Sequence, residues 1–202
     1  MEKHFDARAA TWDTPERLAR TQRTADAMLP FLPQGRPRTV ELGAGTGQLS
    51  RSLAEHLGHV VLLDSSAAMI EVAGRAVEEH GWEARVADVT TDGIPDGPFE
   101  LALAQLALHH IHDVPALFSL VHAALAPGGR LLVADLDHDP DGHFHAHVEG
   151  FSGHHGFRRE DIAAWLADAG FADVEFRDAG TLTKEVEGHR QDFPLFLAAA
   201  TA

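Results

Sequence analysis

The chain has no cysteine among its 202 residues. That absence removes disulfides, thiolate metal sites and cysteine nucleophiles together, and as to compartment it only permits the cytosol. Positive charge is scarce as well. Lys and Arg total 16 against 31 Asp and Glu, a formal charge of −15. Such a surplus of negative charge disfavours a nucleic acid or an anionic membrane as partner. No apolar run approaches the roughly 18 residues of a membrane span, and Met1-Glu-Lys-His-Phe-Asp6 has no apolar signal core. Internal repeats are absent too. The expectation is a soluble cytoplasmic protein, monomer or homodimer, with length for one domain and a real core.

What is present begins with Thr39-Val-Glu-Leu-Gly-Ala-Gly-Thr-Gly-Gln-Leu-Ser50. Apolar residues lead into Glu41 and then into Gly43, Gly45 and Gly47; Leu49, Leu53 and Leu57 follow at helical spacing. This reads as a buried strand, a sharp turn and a helix start. Residues without Cβ allow the turn and let a ligand lie on bare backbone. The helix start adds unpaired N–H groups for an anionic ligand group. A dinucleotide site is the rival, with the fingerprint G-x-G-x-x-G. Here the third glycine comes one residue early, and Gln48 stands where that fingerprint wants glycine.

Strand and helix patterns alternate from there on. Strands are expected over 38–43, Val60 to Asp64, Trp82 to Val89, Phe99 to Leu106 and Leu131 to Asp135, with two more over 171–178 and 192–199. Helices are expected over 47–57, 66–80, 114–125 and 159–169. Asp113 is placed to cap the third of these, and Pro127-Gly-Gly to end it. An earlier helix, Pro15 to Leu29, is joined to the first strand by the Pro/Gly-rich Pro30 to Pro37. Strands alternating with helices mean an α/β domain with a mostly parallel sheet, with ligands at the carboxyl ends of its strands.

Taken in order, the segments resemble the class I S-adenosylmethionine-dependent methyltransferases, small-molecule type. Glu41-Leu-Gly-Ala-Gly-Thr-Gly47 matches the first family motif, and Leu62-Leu-Asp-Ser-Ser-Ala-Ala-Met69 is similar to the second. Ala87-Asp-Val89 resembles the third, Phe99 to Ile111 the fourth strand and its loop, and Leu125-Ala-Pro-Gly-Gly-Arg-Leu-Leu132 the turn before strand five. The resemblance spans about 37–200. It implies a Rossmann-like seven-stranded, mostly parallel sheet with helices on both faces and an antiparallel last strand. It also implies two parts, an N-terminal helical lid over 1–36 and a cofactor-binding domain over 37–202.

The resemblance further implies S-adenosylmethionine as cofactor, S-adenosylhomocysteine as product, and a small molecule as methyl acceptor. Gly43, Ala44, Gly45, Thr46 and Gly47 would hold the methionine portion, Asp64 with Ser65 the ribose, and Asp88 with Val89 the adenine. Glu41 lies inside a buried strand and must be paired with backbone N–H groups, with the ligand's amino group, or with both. Met69 is either core or a nucleoside contact. Gln105 and Leu106 would line the floor under the sulfur. Trp12 either covers the methionine half or belongs to a helix packed on the sheet edge.

Histidine is abundant, with 15 in the chain. His109, His110, His154 and His155 are the candidate bases. His143, His145 and His147 alternate, so an extended chain would turn all three to one side and could hold a metal; a solvated loop is the other reading, and no metal site is assigned. Three further readings stand beside the methyltransferase: a non-catalytic S-adenosylmethionine-binding module, a metal-binding protein using the His-rich 138–155 loop, and an NAD-linked dehydrogenase, opposed by Gln48.

Overall fold

The computed structural model describes residues 6–146, 148, 150–186 and 188–202. Seven strands form one sheet: β1 (Thr39–Leu42), β2 (Val60–Asp64), β3 (Glu83–Val86), β4 (Phe99–Gln105), β5 (Leu125–Leu136), β6 (Ala172–Val186) and β7 (His189–Thr201). Their order is β3-β2-β1-β4-β5-β7-β6. β7 runs antiparallel to both β5 and β6, while β1, β2, β3, β4 and β5 pair in parallel. Strand order reverses between β1 and β4, and a crevice for ligands opens at such a reversal.

Six α-helices are named among the described residues: α1 (Pro15–Met28), α2 (Gln48–Ser52), α3 (Ala67–Val77), α4 (Val89–Asp92), α5 (Val114–Ala124) and α6 (Arg159–Asp168). Their starts are chemically marked. Thr14 Oγ1 accepts from the Arg17 N–H ahead of Pro15, and Ser66 Oγ accepts from the Met69 N–H. Asp113 accepts from the Ala116 N–H at 3.0 Å, as expected. Such caps are each worth about 1 kcal/mol.

Alternation along the strands sorts the core onto two faces. Leu62, Leu101 and Leu103 join Ala25, Met28, Leu49, Ala73 and Val77 on the face covered by α1, α2 and α3. Their neighbours Leu63, Ala102 and Ala104 join Val114, Leu117, Phe118, Ile162 and Leu166 beneath α5 and α6. The N-terminal helix therefore shares the main core through Ala25 and Met28.

Several boundaries differ from expectation. The helix over 47–57 is α2 followed by a separate 3₁₀ turn, Ala54–His56. The third strand stops at Val86, because Asp88 turns to cap α4 and accepts from the Thr90 N–H and hydroxyl. β5 begins at Leu125 and takes in Pro127-Gly128-Gly129. The last two strands are a long hairpin, since alternation continues through Leu182, Lys184 and Val186. Within 137–157, residues His143–His145 form a 3₁₀ turn.

Candidate active site

The bend between β1 and α2 holds Gly43, Gly45 and Gly47 at φ of +60°, +53° and +74°. All three are left-handed, but for different reasons. A Cβ on Gly43 would sit 2.5 Å from the Ala107 Cβ, and one on Gly47 would meet Leu62 at 2.9 Å. A Cβ on Gly45 would meet only the Trp12 indole nitrogen, at 4.0 Å. Gly43 and Gly47 thus let neighbouring elements close in, while a Cβ on Gly45 would fit in ordinary contact beneath Trp12.

Asp64, at the carboxyl end of β2, is fixed against this bend. One carboxylate oxygen accepts from the Gly45 N–H at 2.7 Å and the other from the Ser66 N–H at 2.8 Å. Burial raises its pKa against these two hydrogen bonds, with Asp6 adding to the rise. Ser65 beside it is exposed, whereas Ser66 is buried and donates to Asp6 at 2.6 Å. Ala44 and Thr46 are buried, and the Thr46 hydroxyl donates to Asp13 at 2.6 Å. The N-terminal segment is thereby tied over the bend at Asp6 and Asp13, with Trp12 between. Arg17 holds Trp12 from the other side: its guanidinium lies 4.0 Å from the ring centroid and donates to the Trp12 carbonyl.

Glu41 is buried, and the Ser50 N–H and hydroxyl both donate to its carboxylate. Of the partners expected for it, the ones seen belong to α2. Burial pushes its pKa up to about 7 despite Ser50. Met69 is buried at the start of α3. Asp88 is exposed and capping α4, so its carboxylate is engaged by its own helix, while Val89 is buried. Gln105 ends β4 and donates to the Thr24 hydroxyl of α1 at 2.9 Å. Leu106 follows at φ +54°, a strained conformation for a branched side chain, held by its N–H on the Ala134 carbonyl.

The candidate bases separate. His109 is buried with Nδ1 2.6 Å from Asp135, whose carboxylate also accepts from the Leu108, His109 and Leu136 N–H groups. An ionised carboxylate only accepts, so Nδ1 is the ring nitrogen that donates to Asp135, which fixes the orientation of the ring. His110 lies 4.1 Å from His109 between ring centroids, and His145 lies 5.1 Å from His109. His155 is 5.8 Å from His145. His154 turns to the His112 carbonyl and, with His155, Trp165, Asp161 and Arg158, lines a cleft of about 380 Å³. No residue of the glycine bend lines that cleft.

The loop whose alternating histidines could hold a metal if it were extended is turned instead. His143 faces Gln191, His145 stacks on Phe151 at 3.7 Å, and His147 lies outside the described residues. Among the described residues no three His, Asp or Glu side chains are grouped to hold a metal. Burial, then His109 and His110, lower the His145 pKa to about 3, so it is neutral at physiological pH.

Sequence reading gave no site role to Asp135, Arg20 or Lys184, and gave His145 only one toward a metal. Asp135 and His145 have partners that are distant in sequence. Arg20 lies on α1 and Lys184 on β6, against which α1 packs. A signal for Arg20 was present: with Arg17, Thr24 and Met28 it falls on the inward stripe of α1.

Sheet order, a left-handed glycine bend and an acid closing β2 together define a class I S-adenosylmethionine-dependent methyltransferase. Residues 14–175 match the family described as Methyltransferase domain, and the chain belongs to that family. It is 34% identical over 150 residues to phosphoethanolamine N-methyltransferase 1 of Arabidopsis thaliana, covering 70% of this chain and 30% of the relative. It is 32% identical over 127 residues to demethylmenaquinone methyltransferase of Thermus thermophilus, covering 61% and 56%. The crystal structure of an S-adenosylmethionine-dependent methyltransferase from Mesorhizobium loti superposes with a TM-score of 0.71 at 24% identity, over 88% of this chain and 96% of that one. The chain spans less than a third of the plant enzyme and about half of the bacterial one. No helix among the described residues is long and apolar enough to cross a membrane.

Proposed function

We propose that this domain transfers a methyl group from S-adenosylmethionine to a small-molecule nucleophile. The observation that carries the reading is the Asp64 carboxylate fixed on the Gly45 N–H, at the one glycine of the bend whose added Cβ would meet no backbone or packed core, only the Trp12 indole at 4.0 Å. A polar acceptor locked next to bare backbone suits a ribose diol attached to an amino acid. Gly43, Ala44, Gly45, Thr46 and Gly47 would hold the methionine portion, and Asp64 and Ser65 the ribose. Val89 and Met69 would flank the adenine, with Asp88 at its edge. Gln105 and Leu106 would form the floor, and Trp12 the lid of an N-terminal cap over 1–36. When bound, the cofactor supplies an electrophilic methyl on a sulfonium.

The protein's remaining work is alignment, exclusion of water and proton removal. Trp12, clamped by Arg17, excludes water above the bend. His109, oriented by Asp135 through Nδ1, would take a proton from the acceptor, directly or through His110 and His145. The two named relatives methylate different kinds of compound, so the acceptor atom is not carried over from them.

Calorimetric titration with S-adenosylmethionine, S-adenosylhomocysteine and NAD tests the class. Binding of the first two without the third is expected. Asp64→Ala should weaken both by about tenfold to a hundredfold, the worth of a hydrogen bond to a charged group. NAD binding, or an Asp64→Ala protein as tight as wild type, would overturn the reading. Tight cofactor binding with no product across an acceptor screen would favour a non-catalytic module.

A further inference from the structure

In a chain with twice as many acids as bases, cations readily find carboxylates. Arg51, Arg75, Arg85, Arg159 and Arg177 each have one. Others are in no ion pair among the described residues, and three of these, Arg17, Arg20 and Lys184, lie on two elements that pack together. Arg17 and Arg20 lie one turn apart on the inward stripe of α1, the helix whose Thr24 receives the Gln105 amide at the end of β4. Lys184 is on β6, against which α1 packs. Its Nζ donates to the Phe144 carbonyl and sits 3.4 Å above the Phe144 ring. The Arg20 Nε is buried with no hydrogen-bond partner.

The three groups feel one another. Burial lowers the Arg20 pKa to about 10, and Arg17 lowers it further. Burial lowers Lys184 to about 8, helped by Arg20, Arg17 and Arg8. Glu16 and Asp13 act on Arg17 in the opposite sense without pairing to it. Like charges gathered and partly desolvated are costly unless an anion joins them. The Phe144 ring beneath Lys184 lies 4.8 Å from His145 and 6.3 Å from His109 between centroids, so the lysine borders the histidine cluster.

We propose that the methyl acceptor is an oxyanion-bearing molecule, a phosphate or carboxylate, whose anionic group is held by Arg17, Arg20 and Lys184 while its nucleophile faces His109, His110 and His145. Two guanidinium forks and an ammonium match such a group better than any neutral one. The inference rests on the methyltransferase reading, since it assigns that site its second substrate.

The test is calorimetric titration of inorganic phosphate and, separately, acetate into the protein at constant ionic strength, with and without S-adenosylhomocysteine. Wild type should bind at least one of them; phosphate alone would mark a phosphate ester, and acetate alone a carboxylate. Arg20→Gln and Lys184→Gln should each weaken that binding about tenfold or more, with S-adenosylhomocysteine affinity within about twofold of wild type. Arg20→Gln should also melt higher than wild type, because an unpaired buried charge retained at a cost to stability is the mark of a ligand site. Absence of binding by both anions, or equal binding by wild type and both variants, would overturn the proposal. Failure of S-adenosylhomocysteine to bind would instead strike the methyltransferase reading, and the anion titration without it would still decide this one.

Discussion

Glu41 is an acid inside β1, closed off from water and bonded, among the described residues, only to Ser50. Burial raises its pKa from 4.5 to about 7. Between those two values the folded protein holds a proton that the unfolded chain has released. Stability therefore falls as pH rises through this window and levels off above it. Gln in place of Glu keeps the shape and removes the titration. Glu41→Gln should flatten the dependence between about pH 4.5 and 7, and at about pH 8 it should be more stable than wild type by up to about 3 kcal/mol. Urea unfolding at several pH values reads both. Parallel wild-type and variant curves would refute the assignment of this slope to Glu41.

The bend between β1 and α2 joins two elements to the loop after β4, and its glycines separate packing from binding. Gly43→Ala must displace Ala107, whose Cβ lies 2.5 Å from where the new methyl would sit, and must hold an L-residue at φ +60°. Overpacking and the left-handed backbone together should cost about 3 kcal/mol. Adding Ala107→Gly should recover the larger part. Gly45→Ala bears only the backbone strain, about 1 kcal/mol, yet its methyl enters the space under Trp12 and should weaken S-adenosylhomocysteine binding about tenfold. Denaturant unfolding and calorimetry on the same samples separate the two effects; equal stability losses would undo the distinction. This bend was legible in the sequence because strand, turn and helix start fall within twelve residues. The sheet was legible for a related reason, since alternation sorts Leu62 from Leu63 and Leu103 from Ala104 onto opposite faces. Asp88 was misread as a strand residue because an acid after an apolar run serves equally as a helix cap. The hairpin of β6 and β7 ran longer than expected because its outer half is polar on one side and carries a weaker apolar signal.

At the scale of the whole molecule, what sequence reading missed is what topology brings together. His109 and Asp135 meet only because β4 and β5 are neighbours, and the elements of Arg20 and Lys184 are adjacent only because α1 packs on β6. No local window contains either pair. The same topology places a cationic cluster inside a protein whose formal charge is −15. Most of the acids therefore face solvent, where they repel one another and weaken the compact state. Salt should screen this repulsion and histidine protonation should cancel it. Charging all 15 histidines would bring −15 to zero (−15 + 15 = 0), in line with a pI near 5.3. His145 is held neutral down to about pH 3 in the folded protein. Raising sodium chloride from about 20 to about 300 mM should accordingly lift Tm by about 3–6 °C at about pH 7.5, but by no more than about 1 °C at about pH 5.5. A zwitterionic buffer is required, because phosphate would stabilise the native state by binding and mimic screening. The same gain at both pH values would mean that salt acts on hydration rather than on charge, and the net charge would then carry no share of the instability.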